Sequence, residues 1–304
     1  MSGGLITSSS FAKALWPGVN KWYGRAYNDY MTEYDKLFDT TSSTMAYEED
    51  VQISSLGLAQ RKPEGQSIVY DEETQGFVSR YTHAVYALGF IVTKEMFSDD
   101  LYGVIQKRAE GLARSMRQTK ETIGANVYNR AFDSGYTGSD GVSLLSNAHP
   151  NYAGGTWSNT LATAADLSEA SLEQACIDIS LWEDDRGLLI AAMPESLHIH
   201  PDNMFEAERI LKSDYRVATA NNDINAMKMM GKFPKGIMVN HYFTDTDAWF
   251  TRTNVADGMK MFQRWGMEFG IDNDFDTENA KYKATERYSF GWTDPRGLYG
   301  SPGA

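Results

Sequence analysis

The residues of this chain that could hold a metal or attack a carbonyl are few: five His, one Cys and scattered carboxylates in 304 residues. His198 and His200 flank Ile199, a spacing that sends both to one side of a strand, and His241 sits on a separate strand-like run. Without an H-E-x-x-H motif or a second Cys they read as packed, hydrogen-bonded or solvated side chains, not as zinc ligands. Cys176 falls on the inner face of an expected helix with no visible His partner, and no G-x-S-x-G elbow is present, so it reads as a buried thiol. Asp272, Asp274 and Asp276 begin like a calcium loop, but the sixth position is Thr277 and the twelfth is Lys283, where Gly and Glu are needed. Gly135, Gly138 and Gly141 follow an expected helix and lack the Lys-Ser/Thr ending of a phosphate cradle, and Gly231-Lys232 is followed by Phe233. The expectation is a protein that is not an enzyme and uses no cofactor or metal.

The stretch "LLSNAHPNYAGGTWSNTL", residues 144–161, suits a different purpose. Pro150 keeps His149 out of the helical region, Gly154 and Gly155 permit a sharp turn, and Ser158 or Asn159 can bond nearby backbone. Trp157 would anchor it. His149, Pro150, Gly155, Trp157 and Asn159 are therefore candidates for holding a loop in one shape.

The elements around this loop alternate in kind. Aromatics at Trp22, Tyr23, Tyr27, Tyr30, Tyr34 and Phe38 recur mostly at steps of three or four, predicting one helical face. Residues 50–92 hold β-prone pieces around a polar middle broken by Pro63, Gly65 and Gly76, as for two extended segments that leave the body and return. Residues 99–133 carry an apolar stripe through Leu101, Ile105, Ala109, Leu112, Met116, Ile123, Val127 and Ala131, predicting a long helix capped by Asp99 or Asp100 and stopped near "SGYTG". "DLSEASLEQACIDISLWEDD" predicts another helix, capped by Asp166 or Ser168, and the material after Gly236 is mostly strand-like. In "YKATERYSFGW", Tyr282, Ala284, Tyr288, Phe290 and Trp292 share one parity that Glu286 interrupts. The class is mixed α+β.

Bulk properties narrow the function. A net charge of -13 disfavours a general nucleic-acid-binding surface, although Lys13, Lys21 and Arg25 make the N-terminal lead locally basic. One Cys provides no disulfide framework. No segment approaches the ~20 apolar residues of a membrane span and the N-terminal stretch lacks an apolar run of signal-peptide length, so the expected site of synthesis is the cytoplasm, with no membrane partner.

The ordered landmarks "NRAFDSG", "DGVSLLSNAHP", "GGTWSNTL", "ADLSEASLEQA", "DDRGLLIAAMPESLHIHP" and "EAERILKS" resemble the major capsid proteins of tailed bacteriophages, most closely the Mu-like major head subunits. The resemblance implies the HK97-type phage capsid fold: an N-terminal arm at 1–45, an E-loop at 50–92, a peripheral domain at 93–165 with a spine helix, an axial domain at 166–265, and a return to the peripheral domain at 266–304. Residues 144–161 would mark the passage between domains, without a catalytic part.

The same resemblance implies a homo-oligomer of pentamers and hexamers in an icosahedral shell, the virion capsid, assembled in the host bacterial cytoplasm around double-stranded DNA that contacts the wall only to a limited extent. No long helical extension precedes the arm, so a separate scaffolding protein is expected, with a portal and a decoration protein as further partners. Candidate contacts between subunits are Trp16, Trp22 and Tyr23 as aromatic anchors and Arg61, Lys62, Glu64, Glu72 and Glu73 as charges on the projecting hairpin. No motif assigns a cross-linking partner to Lys62, which reads as a surface Lys. The alternatives are an encapsulin-like compartment shell and a soluble enzyme with an unrecognised site.

Overall fold

The chain enters through α1 (residues 20–29) and the single turn α2 (Tyr34–Leu37), followed by β1 (Asp39–Ser42), β2 (Tyr47–Ile53), β3 (Gln75–Thr82) and β4 (Ala84–Val92). Next come the long α3 (Val104–Asn129), the short pair β5 (His149–Pro150) and β6 (Thr156–Trp157), α4 (Glu169–Ser180), β7 (Pro194–Ile199), α5 (Met204–Lys212) and α6 (Ala226–Met230). The chain ends with β8 (Gly236–Val239), β9 (Trp249–Thr253), β10 (Met259–Asn273), β11 (Ala280–Trp292) and β12 (Leu298–Ser301). This computed structural model describes residues 20–304 except 94, 97–98, 100–102, 153, 217–222 and 275–278.

Strands β1, β10, β11 and β4 form one sheet in that order, with α3 across one face. The alternation expected in β11 is present: Tyr282, Ala284 and Tyr288 are buried, and Phe290 packs against the core at partial burial. β10 shows the same period: Met259, Met261, Met267, Phe269 and Ile271 share odd positions and pack into these cores, with register shifts around Trp265. α3 spans 26 residues, about 39 Å at 1.5 Å per residue. It begins later than the stripe suggested. Gly103, left-handed at φ 64°, stands at its N-cap and no acid lies in its first turn, so Asp99 does not cap it, while Asp100 lies outside the described residues. Gly124 stands at a close approach, where a Cβ would lie 3.3 Å from both Phe290 and Tyr34, tighter than ordinary contact.

The aromatic face of residues 22–38 does not make one helix. α1 stops at residue 29, and Glu33 and Tyr34 donate their backbone N–H groups to the Glu121 carboxylate on α3, at 3.1 and 2.8 Å. A tertiary acceptor thus takes over donors that a continuing helix would use itself. Beside it lies a buried charge cluster. Lys120 is 3.5 Å from Glu286, the residue that interrupts the β11 pattern, and donates to Gln263 at 2.5 Å. Tyr27 donates to Glu286, and the Lys120 ammonium lies 4.9 Å and 5.1 Å from the ring centres of Tyr34 and Tyr288. Burial lowers the Lys120 pKa, with Glu286 opposing, and pushes the Glu121 carboxyl up to about 7.

The second sheet has the order β12, β9, β7, β8, with Leu172, Ile179, Trp182, Leu197, Ile199, Trp249 and Tyr299 in its core. α4 starts at Ser168, whose hydroxyl accepts from Ser171 N while the Ser171 hydroxyl accepts from Ser168 N, a reciprocal cap. β10 runs through residue 265 without a break, and β12 joins the second sheet.

β2 and β3 pair apart from both sheets. Their root is held by polar contacts: Thr293 donates to Asp50 at 2.8 Å, Lys260 lies 2.6 Å from Asp50, Tyr81 bonds Thr293 at 2.6 Å, and Gln52 donates to Thr293 O at 2.7 Å. Beyond the root, residues 55–75 are all exposed.

Two outcomes test the charge cluster. Glu286→Ala leaves Lys120 buried without its partner and should lower the unfolding free energy by about 3–5 kcal/mol in urea denaturation. Glu286→Leu with Lys120→Met should recover most of that loss. Glu121 gives a pH signature. Its folded pKa of about 7 exceeds the ordinary 4.5, so the folded chain holds a proton that the unfolded chain has lost between those values, and stability from this group falls as pH rises through that window. The stability advantage of Glu121→Gln over the unmodified chain should therefore grow from pH 4.5 to 7 and then level off.

Candidate assembly interface

The described residues hold no convergent group of three or more His, Cys, Asp or Glu placed for a metal. His198 is fully buried on β7 and bonds Ser196 at 2.7 Å, and burial pushes its ring down to about 3, so it stays neutral. His200 lies just past the strand end and accepts from Asp202 N, while His241 bonds Glu33 at 2.6 Å. The three do not meet. Burial pushes the Cys176 thiol up to about 11, which removes the thiolate a nucleophile needs. Lys281 pairs with Asp274 at 3.0 Å at the acidic turn, whose Asp276 lies outside the described residues. Among the described residues no helix is long and apolar enough to cross a membrane.

The loop of residues 144–161 closes around Asn159, which is fully buried. Its amide nitrogen donates to Leu144 O at 2.8 Å, Pro295 O at 3.1 Å and Leu298 O at 3.2 Å, and its oxygen accepts from Ser146 N at 2.9 Å. One side chain thus joins the segment after α3 to the segment entering β12. His149 places Nε2 3.1 Å from the Asn159 oxygen and Nδ1 2.6 Å from Asp140. Both ring nitrogens thus face acceptor oxygens, one on Asp140 and one on Asn159. Trp157 stacks on His149 with ring centres 4.6 Å apart, pairs with it across β5 and β6, and carries the Arg296 guanidinium 4.3 Å above its own ring. Gly154 and Gly155 turn the chain at φ 99° and 85°, and Asn151 N donates to Gly155 O at 3.0 Å. Sequence reasoning missed Asp140, Arg296 and the two carbonyls near β12, because nothing local points to them.

The hairpin excursion presents a run of uncovered apolar side chains. Leu56, Leu58, Ile68, Val69 and Tyr70 are exposed, Tyr70 at 88%. Pro63 O accepts from Gln66 N at 3.3 Å, with Gly65 at φ 83°, the conformation a glycine supplies at this turn. Arg61, Lys62 and Glu64 surround this tip, all exposed. The excursion is tied to its own chain near the base: Arg186 pairs with Asp71, whose carboxyl it holds down to about 2, and donates to Glu72 O, while Ser55 donates to Asp184. Glu72 and Glu73 are exposed beside that tie.

The aromatic anchors divide three ways. Trp16 lies outside the described residues, and Trp22 is half-buried against the Val92 and Ile105 cluster. Tyr23 is fully buried, stacked on Phe269 with ring centres 4.6 Å apart, and so has no surface left to offer a neighbour.

Comparison with known proteins places the chain. It matches the family described as Phage capsid protein over residues 77–301, and it belongs to that family. Among solved structures it is similar to the capsid of an empty GTA particle, with 12% identity, 88% of each chain covered and a TM-score of 0.54. It is also similar to a virus-like particle from Pyrococcus furiosus (11% identity, 93% of this chain and 97% of that chain, TM-score 0.52). A third likeness is to the procapsid of bacteriophage JBD30 (14% identity, 96% of this chain and 75% of that chain, TM-score 0.52). At these identities the likenesses establish the fold, a mixed α+β architecture shared with capsid subunits. No curated protein matches.

Asn159→Ala strips three carbonyls and one amide of their partner in a buried place, and should lower the unfolding free energy by about 2–5 kcal/mol in urea, with Asn151→Ala near neutral as the comparison.

Proposed function

We propose that this chain is the major head subunit of a tailed bacteriophage, Mu-like in kind, and that copies of it close into an icosahedral shell around double-stranded DNA. The observation that carries this reading is the excursion at residues 55–75, which exposes Leu56, Leu58, Ile68, Val69 and Tyr70 on a segment its own chain does not cover, in a member of a capsid family. Apolar area of this kind on a slender projection is normally buried against another surface.

In this reading residues 1–45 are the arm, 50–92 the E-loop, 93–165 the peripheral domain with α3 as its spine, 166–265 the axial domain, and 266–304 the return. The tip of the E-loop, residues 55–75, lies on a neighbouring subunit, where Arg61, Lys62, Glu64, Glu72 and Glu73 pair with charges opposite while Leu58 and Tyr70 supply apolar area. Trp16 and Trp22 are the remaining aromatic anchors. Residues 144–161, closed by Asn159 and His149, hold the two sheets at one mutual angle, so that every copy presents the same edges. The subunits form pentamers and hexamers with the help of a separate scaffolding protein and a portal, and a decoration protein is a further partner. The overall charge of -13 suits a wall that leaves packaged DNA free to be packed and ejected. Assembly takes place in the host bacterial cytoplasm, and no catalysis is involved.

Electron microscopy of purified, concentrated protein tests the reading: closed particles tens of nanometres across are expected, and a uniform small oligomer would overturn it. DNA inside such particles supports the phage head, whereas a co-purifying enzyme with no nucleic acid indicates an encapsulin-like compartment. Reversing the tip charges with Arg61→Glu and Lys62→Glu should cut the particle fraction in sedimentation several-fold while leaving subunit stability within about 0.5 kcal/mol. An unchanged particle fraction would remove the charge-pairing assignment.

A further inference from the structure

The outer face of α3 reverses the sign of the chain. Over the whole sequence 41 acidic residues outnumber 28 basic ones, yet Lys107, Arg108 and Arg114 stand exposed along this helix. Lys107, Gly111, Arg114 and Gln118 follow at steps of four, three and four, one line on the solvent side. Arg108 stands at its flank and donates to Ile91 O at 3.2 Å, a bond that leaves its charge uncompensated. The acids of the helix itself are half-buried or buried, and others precede it. Glu110 is half-buried and accepts from Gln106 at 2.8 Å, Glu121 is buried beneath Glu33 and Tyr34, and Glu95 and Asp99 precede the helix. On the adjoining α1, Lys21 and Arg25 are exposed too, with Asp29 3.6 Å from Arg25.

Two further features describe what this face is suited to meet. No large hydrophobic side chain is exposed anywhere on α3, in contrast to the hairpin. Protein partners dock through desolvated aromatic, apolar and Arg anchors, whereas a nucleic-acid backbone is held chiefly by exposed cations through release of its counterions. In addition, a Cβ at the exposed Gly111 would meet nothing within 4 Å, so packing inside the chain does not explain a residue that costs a helix roughly 1 kcal/mol relative to Ala. Its effect is to leave the helix backbone bare between Lys107 and Arg114, a shallow shelf edged by cations.

We propose that this shelf receives the phosphodiester backbone of the packaged duplex, giving each subunit a few phosphate contacts in an otherwise acidic wall. The inference rests on the capsid reading and adds to it which surface faces the DNA.

The test uses the full-length subunit before assembly and a 40-base-pair duplex, with binding followed by fluorescence anisotropy between 50 and 200 mM salt. The variant carries Lys107→Gln, Arg108→Gln and Arg114→Gln. At about 0.9 per phosphate contact, the slope of log K against log salt should fall in magnitude by about two to three, while Arg61→Gln with Lys62→Gln leaves it unchanged. Arg108→Lys with Arg114→Lys should keep the original slope, which separates lost charge from lost fold. An unchanged slope in the triple variant, or no duplex binding by the unmodified chain, overturns the proposal. So does loss of polyglutamate binding in place of duplex binding, since that outcome indicates an acidic protein partner. Microscopy of the same variant keeps the two readings apart: shells with an unaltered DNA slope sink this inference alone, and absence of shells from the unmodified chain sinks the capsid reading.

Discussion

Everything else in this structure is hung on a pair of opposite charges placed out of water. Lys120 and Glu286 are 4% and 0% exposed, and removing such groups from solvent is costly unless each finds its counter-charge and further hydrogen bonds. Here the partners come from five elements at once: Tyr27 from α1, Tyr34 from α2, Lys120 from α3, Gln263 from β10, and Glu286 with Tyr288 from β11. An apolar core at this place would hold the layers together equally well but would tolerate sliding. Moving α3 by one turn, about 5.4 Å, strands both charges, so the pair fixes the register of the helix on its sheet.

A frame locked in this way gives the projecting parts a rigid base. The root of β2 and β3 is joined to that base through Asp50, Lys260, Thr293 and Tyr81, and the Asp71–Arg186 tie holds the foot of the excursion against the second sheet's side of the molecule. Asn159 makes the corresponding joint between the two sheets, since its single amide bonds carbonyls at both ends of the chain's passage from one to the other. Uncovered apolar surface is left at residues 55–75, outside this fixed frame.

The sequence disclosed the parts of this design that are local. Parity in β11 and the stripe of α3 are properties of neighbouring residues; β11 formed over its period, and α3 formed inside the stripe, from Val104 to Asn129. The His-Pro and Gly-Gly pairs marked a loop of defined shape for the same reason. What stayed hidden was the long-range pairing. Glu286 was visible only as a flaw in an apolar face, because the Lys120 that balances it lies on another element. The end of α1 was equally unreadable, since residues 30–33 carry no helix breaker and the cause is a carboxylate on α3. Tyr23 looked like an anchor for a neighbour by its position near the start of the chain, whereas its ring is used within the core.

The central claim is that the excursion of residues 55–75 finds its cover on another copy of the chain. Amide hydrogen exchange, resolved by peptide mass in dilute subunit and in concentrated, assembled protein, reads this directly. The account predicts rapid exchange at residues 55–73 in the dilute chain and protection by at least a hundredfold after assembly, about 2.7 kcal/mol, with α3 equally protected in both. Strong protection of those residues already in the dilute monomer would contradict it.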